Sequence, residues 1–156
     1  MTIKKIYSNL KFFNCGEKAI DNFITSGFEE QKKINLSVCY GFFDKNTIKG
    51  FYSLTASSIV NRKNLTKKEN PYPTTPVILI GRLGVEKKYQ KNGIGKELMQ
   101  DAIKRIISVS EEVGCSLIVP HAKNESLISY YEKFGFMPSP EKKTKTSFSS
   151  NFFIKI

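Results

Sequence analysis

The chain has 156 residues, enough for a single domain spanning 1–156 that buries a hydrophobic core without staples. Lys and Arg number 25 against 14 Asp and Glu, a formal charge of +11, and Arg62, Arg82 and Arg105 are the arginines among them. No run approaches the roughly 18 apolar residues of a membrane helix, and Met1–Ser8 lacks the apolar stretch of a signal peptide. The expectation is a cytoplasmic protein with no membrane partner. Cys15, Cys39 and Cys115 are odd in number and widely spaced, which fits reduced packing residues rather than a disulfide framework or a metal site. The basic surplus has two readings. It is either a solvated lysine surface or an attraction for a phosphate-bearing partner.

Ile3 to Phe13 mixes apolar residues with lysines and holds a first strand. Cys15-Gly16-Glu17-Lys18 turns into a helix whose stripe is Ala19, Ile20, Phe23, Ile24 and Phe28. Gly27 interrupts that stripe, which predicts two short helices or a bend. Val38 to Phe43 and Ile48 to Ala56 read as a hairpin joined by Asp44-Lys45-Asn46-Thr47. Asn61 to Thr75 is a polar, proline-containing surface loop with room for a helical turn. Val77 to Val85 is nearly continuous in apolar character, as in a strand covered on both faces.

Downstream, Ile94, Leu98, Ala102 and Ile106 form one helical stripe, and Met99, Ile103 and Ile107 form an adjacent one. Gly114 ends that region. Cys115 to Val119 is a short buried strand, Asn124 to Phe134 a helix stopped by Gly135, and Ser147 to Ile156 a final strand. The order β-α-α-β-β-β-α-β-α-β predicts an α/β sheet with helices on both faces.

Between the central strand and the long helix lies Gln90-Lys91-Asn92-Gly93-Ile94-Gly95. A strand, a glycine-spaced turn and a helix start form a phosphate cradle, because glycines admit close approach and the first helical N–H groups are unpaired. The spacing is neither G-x-G-x-x-G nor G-x-x-x-x-G-K-[ST], so a dinucleotide fold and a nucleotide triphosphatase are not indicated.

This Q-x-x-G-x-G order resembles the pyrophosphate loop of the GNAT acyltransferases. Asn124-Glu-Ser-Leu-Ile-Ser-Tyr-Tyr-Glu-Lys-Phe-Gly-Phe136 is similar to the A-x-x-F-Y-x-x-x-G-F signature of the same superfamily. The resemblance implies the GNAT fold, with a mixed, mostly antiparallel sheet. It also implies acetyl-CoA as co-substrate and no metal. The backbone of Leu83, Gly84 and Val85 would pair with the pantetheine arm. The loop Gln90, Lys91, Asn92, Gly93, Ile94, Gly95 and Lys96 would hold the pyrophosphate, with Asn124 a further cofactor contact. Lys87 and Lys88 flank the loop, either as solvated caps or as phosphate contacts.

Tyr131 occupies the signature tyrosine, with Tyr130 in place of the usual phenylalanine. A phenol with a pKa near 10 stays protonated at neutral pH and can protonate a departing thiolate. Its alternative is an aromatic packed in the core. Val77 to Val85 carries no acid, and Glu86 lies beside the loop, so no carboxylate base stands on this strand. His121, at the end of the next strand, is either a base, a substrate-orienting group or a structural residue. The missing base favours an amine that is already largely neutral, such as an α-amino group near 7.7–8.0 rather than a lysine ammonium near 10.4.

Further segments resemble one branch of the family, the GNAT toxins of toxin–antitoxin modules. Phe13-Asn14-Cys15-Gly16 followed by Ile20-Asp21-Asn22-Phe23-Ile24 is similar to their F-x-C-G-x-x-x-L-D-x-F-L opening. Gly50-Phe51-Tyr52-Ser53-Leu54-Thr55-Ala56, Gly81-Arg82-Leu83-Gly84-Val85 and Gly135-Phe136-Met137-Pro138-Ser139-Pro140 resemble three more of their segments, with Gly84 replacing a common alanine. The branch implies N-acetylation of aminoacyl-tRNA and a block of translation. It also implies a ribbon-helix-helix antitoxin and a possible homodimer. Arg82, His121, Lys142, Lys143 and Lys145 are the candidate substrate and RNA contacts, with Lys32, Lys33, Arg62, Lys63, Lys67 and Lys68 as further lysine and arginine candidates. An arginine inside an apolar strand needs a partner, either the substrate or a buried carboxylate. Two other classes stay open: an acetyltransferase for a small amine or a protein N-terminus, and a non-catalytic basic module binding RNA or a partner.

Overall fold

A computed structural model describes residues 1–61, 66–121, 128–138 and 152–156. The chain folds as two compact units, Met1–Thr55 with Gly81–Ala102, and Ala56–Ile80 with Ile103–Ile156.

In the first unit, β1 (Thr2–Ile6) pairs antiparallel with β2 (Val38–Asp44), with Ile6 opposite Cys39. β2 pairs antiparallel with β3 (Thr47–Val60) through a tight turn in which Lys45 takes a left-handed φ of 55°. The predicted hairpin is present, with β3 running beyond Ala56. The strand order here is β1-β2-β3-β4, where β4 is Thr74–Val85. Gly50 is required by close approach. A Cβ there would lie 2.9 Å from both Gly84 O and Leu98 Cδ1.

The N-terminal helical segment holds the two short helices expected, and a π-helical turn joins them. α1 (Lys18–Asn22) runs into a π-helical turn (Phe23–Gly27) and then α2 (Phe28–Lys33). Thr25 Oγ1 donates to Asp21 O and Ser26 Oγ to Asn22 O, both at 2.7 Å. Hydroxyls bonding back to preceding-turn carbonyls compete with the backbone ladder, which suits a widened turn. Phe23, Ile24 and Phe28 from this segment join Ile6, Phe13, Cys39 and Phe51 in one apolar cluster.

α3 (Ile94–Ser110) buries Ile94, Leu98, Met99, Ala102 and Ile106, the first stripe and the start of the second. Ile107 ends the second stripe on the solvent side. The buried Tyr52 hydroxyl donates to Asp101 Oδ2 at 2.6 Å, tying the middle of β3 to α3. This is a short, charge-assisted bond.

In the second unit, Val77–Ile80 of β4 pairs in parallel with β5 (Leu117–Pro120), and β5 pairs antiparallel with β7 (Phe152–Lys155). The strand order here is β4-β5-β7-β6, and β6 (Met137–Pro138) is a strand the sequence reading did not separate from its turn. Every residue of β5 is buried, and Leu117 and Val119 pack with Val77 and Phe153. α4 is described over Ile128–Glu132, inside the predicted helix. Gly135 follows it with φ 89°, and its N–H donates to Glu132 O at 3.0 Å, a left-handed helix stop. Among the described residues no helix is long and apolar enough to cross a membrane.

Candidate functional site

The loop after β4 is built from the local sequence. Lys87–Tyr89 makes one 3₁₀ turn, in which the Tyr89 N–H donates to Glu86 O and the Gln90 N–H to Lys87 O. Lys91 and Gly93 then take left-handed φ values of 63° and 80°. Gly93 O accepts the Glu97 N–H at 3.1 Å, the first bond of α3. The N–H groups of Gly93, Ile94, Gly95 and Lys96 therefore precede any intrahelical acceptor and point out of the helix start. A Cβ placed on Gly93 would meet nothing within 4 Å. Four helix-start donors at the positive end of a helix of 17 residues, with room left beside Gly93, suit an anion.

Lys87, Lys88, Lys91 and Lys96 are all exposed around this loop. The Gln90 side chain is engaged elsewhere. Its Nε2 donates to Cys15 O at 2.8 Å and to Val85 O at 2.9 Å.

Leu83, Gly84 and Val85 lie at the C-terminal end of β4, beyond the Val77–Ile80 stretch that pairs with β5. Gly84 carries its own constraint. A Cβ there would sit 3.0 Å from Ile20 Cγ2, 3.2 Å from Phe13 Cε1 and 3.4 Å from Cys15 Sγ. The neighbouring side chains have filled the space that an alanine would take.

Arg82 is half-buried, and its guanidinium carbon lies 3.8 Å from the centre of the Phe23 ring. Burial lowers its pKa from the ordinary arginine value, offset in part by nearby Cys39. Among the described residues, ion pairs are Lys33–Glu30 and Lys49–Asp44, so the expected alternative of a carboxylate partner for Arg82 is not met there. Arg82 is held by an aromatic face instead.

In the second unit, Tyr131 is buried and Tyr130 only half-buried. The Tyr131 ring meets Tyr130 edge-on at 5.8 Å and Phe136 at 5.7 Å. Burial, with Tyr130 contributing, pushes the Tyr131 phenol up to about 12. Burial also raises Tyr130. At neutral pH both are proton donors. The His121 N–H donates to Ile80 O at 2.9 Å, extending the parallel β4–β5 pairing by one residue. Asn124, Lys142, Lys143 and Lys145, with Arg62 and Lys63, lie outside the described residues.

Sequence reasoning missed the contribution of the Asn14–Gly16 turn to the loop. Asn14 N–H donates to Glu86 Oε1 at 2.9 Å, and Lys87 N–H to Asn14 O at 2.9 Å. The signal was present only as the F-x-C-G motif, whose spacing says nothing about a partner far along the chain.

Comparison with known proteins agrees with this geometry. The acetyltransferase (GNAT) domain model matches residues 36–138. The tRNA-acetylating toxin of Mycobacterium tuberculosis (strain ATCC 25618 / H37Rv) is 29% identical over 130 residues, covering 82% of this chain and 78% of that protein. A crystal structure of AtaTR bound with AcCoA is similar at a TM-score of 0.79 and 25% identity, over 99% of this chain and 92% of that one. AtaT complexed with acetyl-methionyl-tRNAfMet shares the fold at a TM-score of 0.81 and 24% identity, over 99% and 94% of the two chains. The family match spans well over half of the sequence and includes β4, the glycine loop and the Tyr131 segment, so the chain belongs to the GNAT acetyltransferase domain family.

Proposed function

We propose that this protein transfers the acetyl group of acetyl-CoA to the α-amino group of an aminoacyl-tRNA, and so acts as a translation-blocking toxin. The observation that carries the reading is the anion cradle at the start of α3, with Gly93 at φ 80° under open space. Its N–H groups would take the pyrophosphate, and the Leu83–Val85 edge would pair with the pantetheine arm. The tRNA assignment is supported by the similarity to a tRNA-acetylating toxin, by the +11 charge and by the absence of an acid on Val77–Val85.

In the proposed reaction the neutral amine attacks the thioester carbonyl, forming the C–N bond and a tetrahedral oxyanion. Collapse of that intermediate breaks the C–S bond, and the Tyr131 phenol gives its proton to the departing thiolate. A phenol held at about 12 by burial stays protonated through the whole physiological range, so the proton is in place when the thiolate departs. The ammonium formed on attack loses its proton to solvent or to His121, and the Tyr131 phenolate regains a proton from solvent. No strong base is required, because an α-amine near 7.7–8.0 is already substantially neutral.

Arg82, with Lys142, Lys143 and Lys145, would grip phosphates of the acceptor end. A single catalytic domain spanning 1–156, a cytoplasmic location, a ribbon-helix-helix antitoxin partner and a homodimer complete the proposal. Incubation with labelled acetyl-CoA and total charged tRNA, followed by mass spectrometry of the aminoacyl nucleosides, tests it. An acetylated aminoacyl adenosine is the expected product. Label appearing only on free small amines would overturn the tRNA reading.

A further inference from the structure

A set of directed hydrogen bonds joins the Asn14–Gly16 turn to the phosphate loop. Gln90 Nε2 spends its donors on Cys15 O, 75 residues earlier in the chain, and on Val85 O. Glu86, a buried carboxylate, accepts the Asn14 N–H at 2.9 Å. Asn14 O in turn accepts the Lys87 N–H at 2.9 Å, and Asn14 Oδ1 accepts the Gly16 N–H at 3.1 Å. Cys15 N–H is fixed by Asp21 Oδ1 at 2.8 Å, which anchors the turn to α1. The Lys87 stem lies across Gly16, where a Cβ would be 2.9 Å from Lys87 Cε.

Apolar packing of Phe13 and Cys15 against Gly84 holds the turn beside the end of β4, whereas Asn14, Gly16, Lys87 and Gln90 are exposed and are joined across the seam by hydrogen bonds. The bonds converge on Val85–Gln90, the segment that joins the pantetheine-pairing end of β4 to the cradle. That cradle needs outside support. Lys91 is a non-glycine residue at φ 63°, a left-handed conformation that a Cβ disfavours. An anion site binds tightly only if its N–H groups are aligned before the ligand arrives.

We infer that Gln90 is a positioning residue for the cofactor loop. With Glu86 it clamps the loop to the N-terminal Asn14–Gly16 turn, so that the opening motif of the chain serves acetyl-CoA binding without touching the ligand. The side chain of Gln90 supports the cradle from behind, and its amide is not a phosphate contact. This role rests on the acetyl-CoA reading above.

Calorimetry with acetyl-CoA and steady-state kinetics on the intact protein test the clamp. Gln90→Met keeps the length of the side chain and removes both donors. It should weaken acetyl-CoA binding by about tenfold, the scale of one lost hydrogen bond, while kcat at saturating acetyl-CoA stays within about twofold. Glu86→Gln retains the acceptor for Asn14 and should bind nearly as wild type, whereas Glu86→Ala should weaken binding. Combining Glu86→Ala with Gln90→Met should cost less than the sum of the two, because both act through one turn. Wild-type affinity in Gln90→Met, or a kcat loss with affinity intact, would overturn the positioning role alone. Wild-type protein that fails to bind acetyl-CoA would overturn the cofactor reading and this role with it.

Discussion

The guanidinium of Arg82 rests on the face of Phe23, with 3.8 Å between the Arg82 Cζ and the ring centre. Arg82 sits on the strand that ends at Leu83–Val85, and Phe23 opens the π-helical turn. Among the described residues this half-buried cation is held by a quadrupole and by no carboxylate, so in the proposed reaction its charge would be available to an anion from outside the chain. The planar fork is central to this arrangement, because it can stack and still offer N–H donors at its edge.

Arg82→Lys should therefore behave as a non-conservative change. A lysine ammonium cannot stack and present a fork together, so kcat/KM for charged tRNA should fall by about tenfold or more. Affinity for acetyl-CoA should change little. Equal loss for both substrates would mean that Arg82 supports the fold of β4 rather than the acceptor end.

Gly93 separates strain from ligand exclusion. At φ 80° any Cβ is strained, at a cost of roughly 1–2 kcal/mol, yet Gly93→Val would meet no neighbouring atom near its Cβ. The variant should fold with a modestly lower melting temperature and lose acetyl-CoA binding in calorimetry. Gly95→Val should lose binding as well. A folded Gly93→Val protein with unchanged affinity would remove the cradle from the mechanism.

Tyr131→Phe should keep acetyl-CoA affinity and lose turnover by roughly 10²–10⁴-fold, the range for a missing general acid. Expression of the wild type should arrest growth, and the variant should be tolerated. The same substitution has a pH signature. The phenol rises from an ordinary 10 to about 12 on folding, so the folded state favours the protonated form. Its contribution is fully present below pH 10 and is lost as pH climbs to about 12, by up to roughly 2–3 kcal/mol. The stability difference between wild type and Tyr131→Phe should shift over that window, measured by urea unfolding. A full rate in Tyr131→Phe with a loss in Tyr130→Phe would transfer the role to the more exposed ring.

Tyr52→Phe tests the support beneath the loop. It removes the donor to Asp101 Oδ2 from a buried position and should cost about 1–3 kcal/mol in unfolding free energy. Because the bond joins β3 to the middle of α3 and not to its first turn, acetyl-CoA affinity should fall far less than stability.

Salt separates the two proposed ligands. Affinity for tRNA should drop steeply with ionic strength, each phosphate contact adding about −0.9 or less to the log–log slope. Acetyl-CoA binding, with only its own few phosphates, should respond much less. Charge reversal at Lys142, Lys143 and Lys145 should flatten the tRNA slope. A flat tRNA response in the wild type, joined to turnover on a free small amine, would assign the +11 charge to a solvated surface.

The amino-acid sequence alone determined the parts of this protein whose physics is local. Gly93 at its turn, the Ile94–Leu98–Ala102–Ile106 stripe and the Asp44–Thr47 hairpin connection are set by backbone freedom and short periodicities, and each stands where its spacing predicted. The tyrosine pair was legible, but only packing decided that Tyr131 is the buried ring and Tyr130 the partly exposed one. Side-chain direction across long separations was not legible. Gln90 turned its amide to Cys15 O, and Arg82 stacked on Phe23. Neither spacing nor composition encodes such pairings, because they depend on which turns the folded backbone brings together. The π turn at Phe23–Gly27 and the two-residue β6 belong to the same class. One follows from competition between hydroxyl and backbone bonds, and the other is too short to leave a period, so the tertiary structure alone decides both.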